Sequence, residues 1–319
     1  MANKTLNAIN IYLLSNQLHI NISKSVFMHF KPNIGYEARK TSARTRPFGQ
    51  DYTININGIK IRKVHKVRFL GVIIDEQLNW DEHIEYLEQK LNSCIVTIKR
   101  IRKFIPQKHY KKLYHTLFES HLVYGITAWG GTSKTKLLKI LSIQKRCIRL
   151  LFGEKFCFDH REFYETCTRV RKYAQHIAPK KFELESTKPI FYKHKLLNVY
   201  NLHKQFTYLE TFKILKYHYP SCFLSLLKLK KCKAPSKMYL QPHQYKSSKA
   251  KKHYIHNGIS LWNKLSRQLF TSPPLNPKLN LVIPGSCNNS DLTTPYLIIK
   301  KRLKNFLIEY QNNSISEKS

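Results

Sequence analysis

The 319 residues carry 56 Lys and Arg against 19 Asp and Glu, a formal charge of +37 at pH 7, and the length allows two or three units with buried cores. Seven cysteines at irregular spacing argue against a disulfide framework, so reduced thiols in a soluble intracellular protein are expected. No apolar run approaches the ~18 residues of a membrane span, and the N-terminus shows no cationic stretch leading into an apolar one, so neither a membrane segment nor a secretory signal is expected.

Along the chain, Leu6, Ile9, Leu13 and Leu14 have helical spacing, and a short strand is predicted over Ser25–Phe30. Residues 31–50 read as a loop. Asn57-Gly58 then separates two β-favouring runs, a hairpin signal because both residues tolerate the positive φ of a type I′ turn. Lys66–Ile74 reads as a third strand. From Asp81 the period becomes helical, with Ile84, Leu87, Leu91, Ile95, Ile98 and Ile101 on one stripe. Asp81 and Glu82 at one end and Lys99, Arg100, Arg102 and Lys103 at the other complement the helix dipole. Pro106 suits the start of a second helix with Tyr110, Leu113, Tyr114 and Leu117 inward, broken at Trp129-Gly130-Gly131. A third helix is predicted over 134–152, with Leu137, Leu141, Ile148 and Leu151 on its apolar side. Further helices are predicted within 189–229, 259–270 and 297–310, and 230–257 reads as a basic linker or extended strands. The expected fold class is therefore α+β, mostly α.

The placement of charge points to a polyanion more clearly than its sum does. Lysine outnumbers arginine 42 to 14, a profile that AT-rich coding also gives. Yet no acidic residue lies between Glu88 and Glu119, or between Glu210 and Asp291, while Lys and Arg recur through both windows. Solvated faces usually mix signs, and each phosphate contact gains affinity by releasing counterions.

Five segments in fixed order carry a resemblance. They are Asn16–Phe30, with Asn21, Lys24, Ser25, Met28 and Phe30 at its marked positions; Phe69-Leu70-Gly71-Val72-Ile73-Ile74-Asp75 with Leu78, Trp80, His83 and Ile84; Leu113-Tyr114 with Ser120–Ile126 and Trp129-Gly130; Gln144–Arg149; and Gly258-Ile259-Ser260-Leu261-Trp262-Asn263-Lys264-Leu265. In this order they resemble the reverse transcriptases of jockey-like non-LTR retrotransposons, from just beyond the catalytic strand of the palm through the thumb. The resemblance implies a palm remnant over 1–80 with a primer-grip hairpin, a helical thumb over 81–152 and a basic post-thumb region over 153–319. It implies RNA and DNA as partners, and the missing palm portion of the same polymerase as another.

In that family two metal ions, Mg2+, are held by palm aspartates that precede the first matched segment. Here the aspartates are Asp51, Asp75, Asp81, Asp159 and Asp291, no two adjacent. The resemblance therefore implies no cofactor in this chain and no polymerase activity from it alone. Lys24 matches a lysine proposed as general acid toward departing pyrophosphate, a role that needs the palm to be supplied, and it equally suits a solvated strand start. Phe69, Leu70 and Gly71 match the primer grip and also read as a buried strand. Lys139, Arg146 and Arg149 line the polar side of the third helix, where a template–primer backbone or plain solvent would face them.

The densest basic stretch holds Lys228, Lys230, Lys231, Lys233, Lys246, Lys249, Lys251 and Lys252, interleaved with Tyr239, Tyr245 and Tyr254. Charges with aromatics suit single-stranded nucleic acid, and a solvated linker or nuclear-import signal has the same composition. Cys157, His160, Cys167 and His176 match no familiar zinc spacing, and Cys222, Cys232, His243 and His253 are more scattered still. The expected function is a truncated RNA-directed DNA polymerase that retains nucleic-acid-binding parts. A domesticated nucleic-acid-binding protein and a non-functional relic are the alternatives.

Overall fold

The computed structural model describes residues 2–30, 53–56, 58–153, 187–227, 229–230, 239–242, 253–270 and 293–313. Helices dominate and the strands pair in twos, an α+β architecture that is mostly α. The chain divides into two compact units, Met1–Glu85 and Tyr86–Ser319.

In the first unit, α1 (Ala2–Ser15) buries Asn10 and half-buries Leu6 and Leu13, while Ile9 and Leu14 of the expected apolar stripe are exposed. β1 (Val26–Phe27) is shorter than the predicted strand and pairs in parallel with β4 (Arg62–Lys63), Val26 opposite Arg62. β2 (Asn55–Ile56) and β3 (Ile59–Lys60) form the predicted hairpin, with Gly58 at φ +78; Asn57 lies outside the described residues. The single strand expected over Lys66–Ile74 is instead a hairpin of β5 (Lys66–Phe69) and β6 (Val72–Asp75), Phe69 opposite Val72. Leu70 and Gly71 form its two-residue turn at φ 45 and 82. Both central residues of such a turn need positive φ. Gly71 supplies this freely, whereas Leu70 gives no sequence signal for it.

α2 (Asp81–Ile101) begins in the first unit and continues into the second. It buries Ile84, Leu87, Leu91 and Ile98 of its stripe, and half-buries Ile95 and Ile101. In the second unit, Pro106 precedes a 3-10 turn (Gln107–His109), α3 (Tyr110–Leu113), a π-helical turn (Tyr114–Glu119) and α4 (Ser120–Val123). The run breaks earlier than the sequence suggests: Gly125 takes φ 61 and short α5 (Ile126–Trp129) follows. α6 (Lys134–Phe152) has the predicted bounds, because the Ser133 side chain caps it by accepting from Lys136 N at 3.5 Å and Gly153 follows it. Its buried face is Leu137, Ile140, Ile143, Gln144, Cys147, Ile148 and Leu151, with Leu141 only half-buried.

Beyond α7 (Lys188–Lys193) lies α8 (Val199–Tyr217), capped by Asn198 and buried along Leu202, Tyr208, Leu209, Phe212 and Ile214. It packs against α5, α6 and two later helices, α10 (Tyr254–Phe270) and α11 (Thr293–Asn313). Between them come α9 (Ser221–Leu224) and a small antiparallel pair, β7 (Leu229–Lys230) with β8 (Tyr239–Leu240).

Two junctions order this unit. Gln144 is fully buried; its Nε2 donates to Tyr114 Oη at 2.8 Å and to the Leu197 carbonyl at 2.9 Å, and its Oε1 accepts from Val199 N at 2.9 Å. Every polar valence sent inward is thus met, as burial requires. The second junction explains the Gly258–Leu265 segment. A side chain at Gly258 would collide with the Thr211 hydroxyl of α8, so glycine permits the close approach. Trp262 stacks on Tyr208 with ring centroids 5.4 Å apart. Asn263 donates to the Leu240 carbonyl and accepts from Leu240 N, both at 2.9 Å, clasping β8 as a neighbouring strand would.

Candidate nucleic-acid interface

The β5–β6 tip is the first candidate surface. Phe69 and Leu70 are not buried, contrary to their reading as a core strand: Phe69 is 60% exposed and Leu70 74% exposed. Leu70 lies in the two-residue turn, and Phe69 stands opposite Val72 at the last pair of the ladder, where the hairpin covers side chains least. Gly71 adds a stretch of backbone that a ligand can approach closely.

Asp75 holds the base of this hairpin. Its Oδ1 accepts from Gln77 N and Asn79 N, both at 3.0 Å, and its Oδ2 accepts from Trp80 N at 2.8 Å. These bonds fix a chain reversal in which Leu78 and Trp80 take positive φ. Ile73 N donates to Nδ1 of buried His83 at 3.4 Å, and Lys66 pairs with Glu82 at 2.8 Å, so both strands are tied to the first turn of α2. As one of five separate aspartates in the sequence, Asp75 gives little sign that it organises the turn. The signal was its fixed distance from Leu78 and Trp80.

Lys24 is exposed in a turn capped by Asn21, whose Oδ1 accepts from Lys24 N at 3.0 Å and from Ser23 Oγ at 2.7 Å. The spacing of Asn21, Lys24 and Ser25 is thereby explained as local turn chemistry.

On α6, Lys139 and Arg146 are seven residues apart, so they share a face, and both are exposed. Arg146 Nη2 donates to Asn92 Oδ1 of α2 at 2.6 Å, which orients the guanidinium. Arg149 is half-buried, and burial holds it below its ordinary pKa. It lies one turn beyond Arg146 and is less open to solvent than Lys139 and Arg146. Tyr254, grouped by sequence with the basic stretch, packs edge-on to Phe223 at 5.5 Å and burial pushes its hydroxyl up. It serves the core. Lys228, Lys231, Lys233, Lys246, Lys249, Lys251 and Lys252, and the side chain of Lys230, lie outside the described residues. So do Cys157, His160, Cys167, His176, Cys232 and His243.

Among the described residues, the two aspartates do not form a two-metal site. Asp75 commits both oxygens to backbone amides, and Asp81 is exposed at the start of α2. Among the described residues no group of three or more His, Cys, Asp or Glu side chains is placed to hold a metal ion, and no helix is long and apolar enough to cross a membrane.

No family model and no solved structure matches the chain. Over 103 residues it is 27% identical to the RNA-directed DNA polymerase from mobile element jockey of Drosophila funebris, covering 31% of this chain and 11% of that protein. The jockey polymerase of Drosophila melanogaster is 24% identical over 142 residues, 43% of this chain and 15% of the relative. The retrovirus-related Pol polyprotein from type-1 retrotransposable element R1 of Bradysia coprophila is 28% identical over 101 residues, 31% and 10%. The matches span between 10% and 15% of these relatives' lengths. This partial similarity supports a reverse-transcriptase-related origin for the chain.

Proposed function

We propose that the chain is the nucleic-acid-holding portion of a non-LTR retrotransposon reverse transcriptase, comprising the end of the palm, the helical thumb and the basic region after it. The observation that carries this reading is the β5–β6 tip. Adjacent large apolar side chains, Phe69 and Leu70, stand in solvent beside a glycine turn, on a hairpin whose base is fixed by Asp75. Exposed apolar groups on a rigid support mark a contact surface. A template–primer offers sugar and base surfaces to such a tip, and the exposed Lys139 and Arg146 suit its phosphates. Phosphoryl transfer would need metal-binding carboxylates from palm sequence other than these residues, so the chain alone binds and does not polymerise.

The test is binding of an RNA–DNA hybrid with a recessed 3′ end to the full chain and to a Phe69→Ser/Leu70→Ser variant. A contact of about 1–3 kcal/mol is at stake, as for a base stacked on an aromatic ring. The variant is expected to keep its thermal transition, lose about tenfold or more in affinity, and lose any preference for recessed over blunt ends. Unchanged affinity and end preference would overturn the proposal.

A further inference from the structure

Lys111, Lys195 and Lys304 come from three separated elements: α3, the turn after α7, and α11. Two glutamine junctions bring those elements together. Gln144 bonds Tyr114, one turn beyond Lys111, and the carbonyl of Leu197, two residues beyond Lys195. Gln311 of α11 accepts from Asn198 N and from Asn201 Nδ2, both at 3.1 Å. Asn201 Nδ2 also donates to the Leu307 carbonyl, one turn beyond Lys304, at 3.3 Å. Packing of α11 on α7 closes the arrangement.

The electrostatics agree with this geometry. Burial first, then the charges of Lys304 and Lys195, hold the Lys111 ammonium below its ordinary value. Burial, then Lys193 and Lys111, likewise depress His194, whose ring stacks on Phe152 at 4.1 Å. Glu119 acts on Lys111 in the opposite sense, but its carboxylate also engages His115. Lys195 is exposed and held at φ 52, a left-handed conformation uncommon for lysine. A fold that gathers like charges raises its own energy, and a bound counter-charge relieves that cost.

We propose that Lys111, Lys195 and Lys304, flanked by Lys193, form a phosphate-backbone contact surface on the helical unit, built from residues other than those of the α6 face. The ligand is nucleic acid, so this assignment rests on the function proposed above. Lysines suit it as point charges toward phosphates, without the bidentate geometry that reads bases.

The experiment measures binding of a mixed-sequence RNA–DNA hybrid to the full chain across a salt series. Lys111→Gln/Lys195→Asn/Lys304→Gln removes the cluster, with Asn at 195 because it tolerates left-handed φ. Lys4→Gln/Lys60→Gln/Lys90→Gln removes the same charge from exposed positions elsewhere. The cluster variant is expected to lose about tenfold or more in affinity at moderate salt, and its log–log salt slope should become shallower by about 2–3. The control should change its slope by less than about 1. If the triple variant fails to melt cooperatively, Lys111→Gln and Lys304→Gln are compared singly, each with an expected slope loss of about 1. A folded cluster variant that behaves like the control would overturn this inference while leaving the proposed function standing. Absence of binding by the unaltered chain would overturn both.

Discussion

The Asp75 carboxylate accepts the Trp80 amide at 2.8 Å, joining the end of β6 to the residue that precedes α2. With the amides of Gln77 and Asn79 on its other oxygen, one side chain stabilises a reversal in which Leu78 and Trp80 hold φ of 55 and 68. Left-handed φ costs roughly 1–2 kcal/mol per non-glycine residue, so the carboxylate must offset that strain. Asp75→Ala is expected to cost about 2–4 kcal/mol locally, since hydrogen bonds to charged groups are worth roughly 1.5–3 kcal/mol and do not add fully. Hydrogen exchange over residues 70–85 should accelerate accordingly, and unaltered protection would contradict the assignment.

Gly258 and Thr211 form a second checkable pair. Gly258→Ala puts a methyl group against the Thr211 hydroxyl between α10 and α8, and overpacking of this kind costs about 1–3 kcal/mol. Removing that hydroxyl makes room, because the Thr211 Cβ itself lies 3.4 Å from the place the new methyl would occupy. In a Thr211→Ala background the same Gly258→Ala change should therefore cost markedly less. Strictly additive unfolding free energies across the four proteins would show that the two sites do not meet.

His203 gives the helical unit a pH dependence. Burial first, then the charge of Lys204, pushes its imidazole down to about 4 from 6.5. The folded protein therefore resists protonation that the unfolded chain accepts. Stability is full above about pH 6.5 and is lost as pH falls toward 4, by about 3 kcal/mol for this group. A His203→Phe variant should show a flatter fall in Tm between pH 7 and 4. An identical fall in both proteins would contradict the buried neutral imidazole.

Much of the fold was legible where periodicity and caps agree. α2 and α6 were bounded by their apolar stripes, with Asp81 and Glu82 marking the start of α2, whereas the Ser133 cap of α6 is a finding of the structure. The β5–β6 turn was hidden from the apolar pattern, though not from the primer-grip resemblance, because Leu70 adopts a conformation usually left to Gly, Asn or Asp, and the run Phe69–Ile74 reads as one continuous apolar strand. For the same reason Phe69 and Leu70 looked buried. The Gly258–Leu265 segment was visible as a pattern, but only the clasp of Asn263 on Leu240 shows what the pattern does. Gln144 was visible only as the start of a matched segment, and its burial was not, since tertiary partners decide whether a glutamine is buried. The lysines at 111, 195 and 304 had no sequence signal because their meeting is a tertiary event.

The proposed function requires this basic chain to hold nucleic acid through its phosphates. The most direct measurement is the affinity of the full chain for unrelated RNA–DNA hybrids across a range of salt concentrations. With several lysines and arginines each neutralising a phosphate, the log–log slope should be about −4 or steeper and nearly the same for every sequence. A flat salt response would contradict phosphate-backbone binding.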